Sequence, residues 1–154
     1  MNTNLETDQA SKVLNHLLAR AFDAKEGYAI AAGQCENKAL SDWFTANSSQ
    51  RETFCVMLEK YLGDLNIEPI EHASTLGKLH HAFMKLRAAV SSENDATLIE
   101  ECLRGENQAL DDYQDAIKNK TLRRDAAKAI GDQAEYVKTQ LTALDQIRKA
   151  LLVA

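Results

Sequence analysis

Glu106 occupies a position that the rest of its helix gives to apolar side chains. Ile99, Cys102, Glu106, Ala109, Tyr113 and Ala116 recur every three or four residues, which is the spacing of one helix face. A carboxylate in the middle of that row must be paired, protonated or bound to a cation, because a bare buried charge is too costly. Arg51 poses the same problem elsewhere. It falls in the row Leu40, Phe44, Asn47, Arg51, Phe54, Leu58, Tyr61 and Leu65, and a guanidinium cannot shed its charge to be buried. Asn47 is the second polar break in that seam. Glu26 lies one turn after Phe22, on or beside the inner row of the first helix.

A planar guanidinium can satisfy two carboxylates through paired hydrogen bonds. The residue types therefore predict one buried network of Glu26, Asn47, Arg51 and Glu106, with Asn47 or Tyr28 completing it. The competing expectation is that Arg51 snorkels to solvent and the glutamates only flank it. Glu26-Gly27 and Gly105-Glu106 form a faint internal echo about 80 residues apart. Glycine inside a helix costs roughly 0.5–1 kcal/mol relative to alanine. Two such glycines beside two inward carboxylates imply either close helix approach or room left at the centre.

The elements that must hold these groups are all helical. Ala, Leu, Glu, Lys, Gln and Asp dominate, while Pro is 1, Gly 6 and aromatics 6%, a balance that favours helices over sheets. The first helix is expected over about Glu6–Gln34, with inner row Leu14, Leu18, Ala21, Phe22, Tyr28, Ala29 and Ala32. A short turn with Asn37 as N-cap leads to a second helix over about Lys38–Asp64. Residues 63–75 hold the lone Pro69 and end in cap candidates Ser74 and Thr75. A further helix over about Leu76–Val90 would carry the chain back along the bundle. The helix containing Glu106 follows, to about Lys118. A turn at Asn119–Thr121 precedes a last helix over about Leu122–Leu152, with inner row Ile130, Ala134, Val137, Leu141, Leu144 and Leu151. The 154 residues suit one domain, 1–154.

Charge and cysteine content narrow the function classes. A net charge of -5 without a long basic run disfavours a nucleic-acid or anionic-membrane surface. No apolar run approaches the ~18 residues of a membrane span, and the polar N-terminus lacks the pattern of a secretory signal. Cys35, Cys55 and Cys102 are odd in number and far apart in sequence, so reduced thiols in a cytoplasmic setting are expected. Cys102 reads as a small apolar filler, and Cys35 as the thiol most open to solvent. His80 and His81 are adjacent, about 100° apart on a helix, so they cannot chelate one ion from one face. His16 and His72 are isolated. No Ser-His-Asp pattern, glycine-rich phosphate loop or Cys-x-x-Cys pair is present.

Two helical hairpins joined by a long crossover, with glutamates facing inward, resemble the ferritin-like superfamily. More closely, KEGY (Lys25–Tyr28), ECLRGENQALDDY (Glu101–Tyr113) and LGKLHHAFMKLRAAVSSEND (Leu76–Asp95), in that arrangement, resemble an uncharacterised bacterial four-helix-bundle family of that superfamily. The likeness runs over about Leu5–Leu151. It implies an all-α, ferritin-like four-helix bundle whose crossover contains an extra helix; it implies no particular activity. Di-iron sites of this fold take a single Glu from each of two helices and Glu-x-x-His from the other two. Glu26 and Glu106 match the single positions, but the other two helices offer Glu52-x-x-Cys55 and Glu135-x-x-Lys138, without histidine. Glu52 also falls ~9 Å beyond the level of Glu26. The expectation is therefore a non-catalytic bundle without a cofactor, acting by self-association as a dimer or by partner binding, with Phe83 and Met84 as interface candidates. The alternative is a two-iron oxidase or iron-handling protein, with Glu26, Glu52, Glu106 and Glu135 as ligands.

Overall fold

The computed structural model describes residues 3–69 and 95–153, apart from the side chains of Thr3 and 151–153. The helix expected over Leu76–Val90, His72, His80, His81, and the interface candidates Phe83 and Met84 lie outside the described residues. Within them the chain forms four helices, α1 (Thr3–Gln34), α2 (Lys38–Asp64), α3 (Asp95–Ile117) and α4 (Arg124–Val153), and no strand. None of these helices is long and apolar enough to cross a membrane.

Local chemistry fixes the ends of α2. Asn37 is extended (φ -73°, ψ 120°), and its side chain accepts the Leu40 N–H at 2.9 Å, satisfying one of the helix's unpaired donors. At the other end Asn66 takes a left-handed conformation, φ 59°. Its N–H donates to the Gly63 carbonyl and the Ile67 N–H to the Leu62 carbonyl. This is a Schellman closure, with asparagine in the place more often given to glycine, and Ile67 packs back on the core.

Asp95 ties the α1–α2 turn to α3. Its carboxylate accepts the backbone N–H groups of Glu36 and Asn37 at 3.0 and 3.1 Å. The start of α3 therefore sits where α1 ends and α2 begins, and α3 runs antiparallel to α1. Because α2 is 27 residues long, its far end lies ~40 Å from that point.

The four helices share a core in two parts. Leu14, Leu18, Phe54, Leu58, Tyr113, Ile130 and Val137 belong to the part away from the α1–α2 turn. Tyr28, Ala31, Leu40, Phe44, Ile99, Cys102 and Leu144 belong to the part beside it. Along each helix the break between the parts falls at one level: between Ala21 and Tyr28, Phe44 and Phe54, Leu103 and Ala109, Val137 and Leu144. Arg51, Asn47 and Glu106 lie in that break, buried. The predicted rows hold for α2 and α3. On α1, Ala29 is exposed while Leu17 and Ala31 are buried. Leu17 and Ala31 are three residues from Leu14 and Tyr28, so they share their face, whereas Ala29 is turned ~100° from Tyr28.

Candidate functional site

The polar layer is built on Arg51 and Glu106, which are only 1% and 2% exposed. Arg51 Nη1 donates to Glu106 Oε1 at 2.7 Å, and Nη2 donates to Oε2. Tyr28 brings its hydroxyl to the same Oε2 at 2.8 Å. α2, α3 and α1 thus each supply one member of a clasp.

Aromatic rings enclose the guanidinium. Its carbon lies 5.6 Å from the ring centre of Tyr28, 5.4 Å from Phe54 and 5.5 Å from Tyr136. These faces attract a cation, more strongly away from water. Tyr136, on α4, also donates to Asn47 Oδ1 at 2.9 Å, and Asn47 Nδ2 donates to its own helix at the Trp43 carbonyl, 3.1 Å. All four helices therefore converge here. Tyr113 and Gln133 add a buried hydrogen bond of 2.6 Å between α3 and α4, one layer away.

Electrostatics follow from this burial. For Arg51 burial works against the charge, but the Glu106 carboxylate and its hydrogen bonds outweigh it, and the guanidinium is held more firmly protonated than usual. Burial, then the neighbouring Glu106 charge, push the Tyr28 hydroxyl well above the ordinary phenol range. Cys102 is pushed up by the same two causes in the same order. None of these groups is poised to exchange a proton near neutrality.

The network differs from the expected one at Glu26. That side chain is half-buried and forms no hydrogen bond or ion pair with a described residue. Tyr28 points inward, and two residues turn a helix by ~200°, so Glu26 cannot share its face. Tyr28 takes the place expected for the second carboxylate. Tyr136 and Phe54 were not expected as partners of Arg51: the row on α2 places Phe54 on the right face, but nothing in the sequence of α4 sets its register against α2.

The four carboxylates of the two-iron alternative do not converge. Glu106 is held by Arg51 and Tyr28. Glu52 is exposed and pairs with Lys25 across the α1–α2 seam. Glu135 is exposed on α4, and Glu26 is half-buried on α1. Among the described residues no three His, Cys, Asp or Glu side chains are grouped to hold a metal ion. These donors do not fit the two-iron centre of a carboxylate bundle.

Beside the clasp, a groove of about 260 Å³ opens between α1 and α3. Gly27 and Tyr28 from α1 and Gly105 and Glu106 from α3 are among the residues that line it. Close packing does not explain Gly105, because a Cβ there would meet nothing within 4 Å. Of the two readings of the glycines, Gly105 follows the one in which space is left.

Over the described residues the arrangement is that of a helical protein with an internal arginine–glutamate clasp. Residues 9–119 match the family described as domain of unknown function (DUF2383), and the chain belongs to that family. The match runs through α1, α2 and α3 and ends before α4. No curated protein sequence matches the chain.

Proposed function

We propose that this protein is a single-domain, non-catalytic bundle of the ferritin-like type, its crossover carrying an extra helix, which acts by self-association or partner binding. One observation carries this reading. The layer that would hold metal in a carboxylate bundle is filled by the Arg51–Glu106 pair inside an aromatic cage. A guanidinium supplies the positive charge that the inward carboxylate requires, without redox chemistry. Such a pair specifies helix register more than it adds stability.

Self-association is supported by the outer face of α2, where Val56 and Met57 are exposed side by side at 59% and 39%. The three thiols are unpaired, which suits a reducing compartment and a cytoplasmic setting. Two measurements test the reading. Sedimentation equilibrium of the wild type and of Val56→Asp should show a dimer in the first and a monomer in the second. Ferrous iron added in air should oxidise no faster than in buffer. Two equivalents of iron bound per chain with rapid oxidation would overturn the proposal, as would a wild-type monomer that captures no protein partner.

A further inference from the structure

We propose that the groove between α1 and α3 binds a small organic monocation of the alkylammonium class, with the ammonium on Asp23 and the hydrocarbon lying over Gly27 and Gly105.

The charge count of the groove favours a cation. Each arginine around it is already engaged: Arg20 Nε with Asp112 Oδ2 at 2.6 Å, Arg104 with Glu101, and Arg51 with Glu106. Asp23 is the carboxylate left over. Its Oδ1 is buried and has no hydrogen-bond partner among the described residues. A buried acceptor without a donor costs about 1–3 kcal/mol, more when it carries charge. An ammonium group supplies donors and a compensating charge, whereas a second carboxylate would be repelled.

The shape favours a slim hydrocarbon. Ala24, Gly27, Cys102 and Gly105 are among the lining residues, and more apolar than polar surface faces the space. A glycine in the interior of α3 gives up roughly 1 kcal/mol of helix propensity relative to alanine. No packed neighbour requires it there, and a larger side chain at this position would project into open space. The volume lies just below the ~300–1,000 Å³ of typical small-molecule pockets, so the ligand is small.

Burial raises the Asp23 carboxyl to about 6, with Arg20 one turn away opposing that rise. Ammonium binding should then strengthen as pH rises through about 6. The other titratable groups on this face are Tyr28 and His16 from α1, and Glu101, Cys102, Arg104, Glu106 and Asp112 from α3. Asp23→Asn separates the Asp23 contribution from theirs.

The proposal does not depend on self-association, and its readout is separate from sedimentation. Titrate the full chain with n-butylammonium, 1-butanol and butyrate, following binding by saturation-transfer NMR. The ammonium should bind at least ~10-fold more tightly than the alcohol, a difference of about 1.4 kcal/mol, and butyrate should not bind. Asp23→Asn should abolish the preference for the ammonium over the alcohol. Gly105→Leu should block all binding; where it does not fold, Gly105→Ala, whose Cβ narrows the groove and favours the helix, should weaken binding several-fold. Equal binding of ammonium and alcohol, no ammonium binding to the wild type, or a native-melting Asp23→Asn that keeps the preference would each overturn the assignment.

Discussion

The guanidinium of Arg51 meets the carboxylate of Glu106 through two hydrogen bonds, across 55 residues of chain and between helices of different hairpins. Both groups are all but sealed from solvent. Removing one member leaves the other charged and buried, which costs about 3–5 kcal/mol. Arg51→Met and Glu106→Gln should each lower stability by that much in urea unfolding. The double variant should recover at least half of the summed loss, because neither charge is then stranded. Additive losses would show that the two residues act independently.

Tyr28 and Glu26 separate the clasp from its surroundings. Tyr28→Phe keeps the ring against Arg51 and removes only the hydroxyl that donates to Glu106 Oε2. A hydrogen bond to a charged group contributes about 1.5–3 kcal/mol, and the variant should lose an amount in that range. Glu26→Gln should change stability by less than about 0.5 kcal/mol, as surface substitutions away from special features do. Paired urea titrations check both, and a large loss at Glu26 would place it in the buried layer after all.

Much of this was legible along single helices and little of it between them. Asn37 as N-cap, the limits of α2, and the burial of Arg51 and Glu106 follow from spacing, because a 3.6-residue period is written in the local sequence. A lone carboxylate and a lone guanidinium on two inner faces also implied each other, since each is too costly alone. The aromatic cage was not legible. Tyr136 meets Arg51 only because α4 settles at one height against α2, which depends on packing across the core. Glu26 misled for a related reason: it echoed Glu106 beside a glycine, but the inward direction on α1 is set by Leu14, Leu17, Tyr28 and Ala31. Asp23 gave no sequence signal, because it lies at the edge of that face.

The thiols should be sluggish nucleophiles. Burial first, then the Asp95 carboxylate, raise Cys35 to about 11; burial, then Glu52, raise Cys55 to about 12. Cys35 is half-buried, with its Sγ 3.4 Å from the Asn37 carbonyl, while Cys55 and Cys102 are buried. Thiolate is the reacting form. Iodoacetamide at pH 7.5 should therefore label Cys35 first, yet on the order of 100-fold more slowly than a free thiol of pKa ~8.5–9. Mass spectrometry of tryptic peptides over time checks both the order and the rate.

Asp23 should make the fold less stable as pH rises. Its folded-state value of about 6 lies above the ordinary 3.8, so between those values the folded chain binds more protons than the unfolded one. Stability from this group is then greatest below about 3.8, falls as pH climbs to about 6, and stays low beyond it. Asp112 works in the opposite sense: burial raises it, but the Arg20 and His16 contacts lower it further, and the net shift is downward. The stability it gives is present above its unfolded value and is lost as pH falls through the folded one. Asp23→Asn removes only the first effect. The variant should melt higher than wild type at pH 7 and 8, and the difference should shrink through pH 6 and 5 and vanish near pH 3.5. A pH-independent difference would show that the Asp23 carboxyl is as well solvated in the folded chain as in the unfolded one.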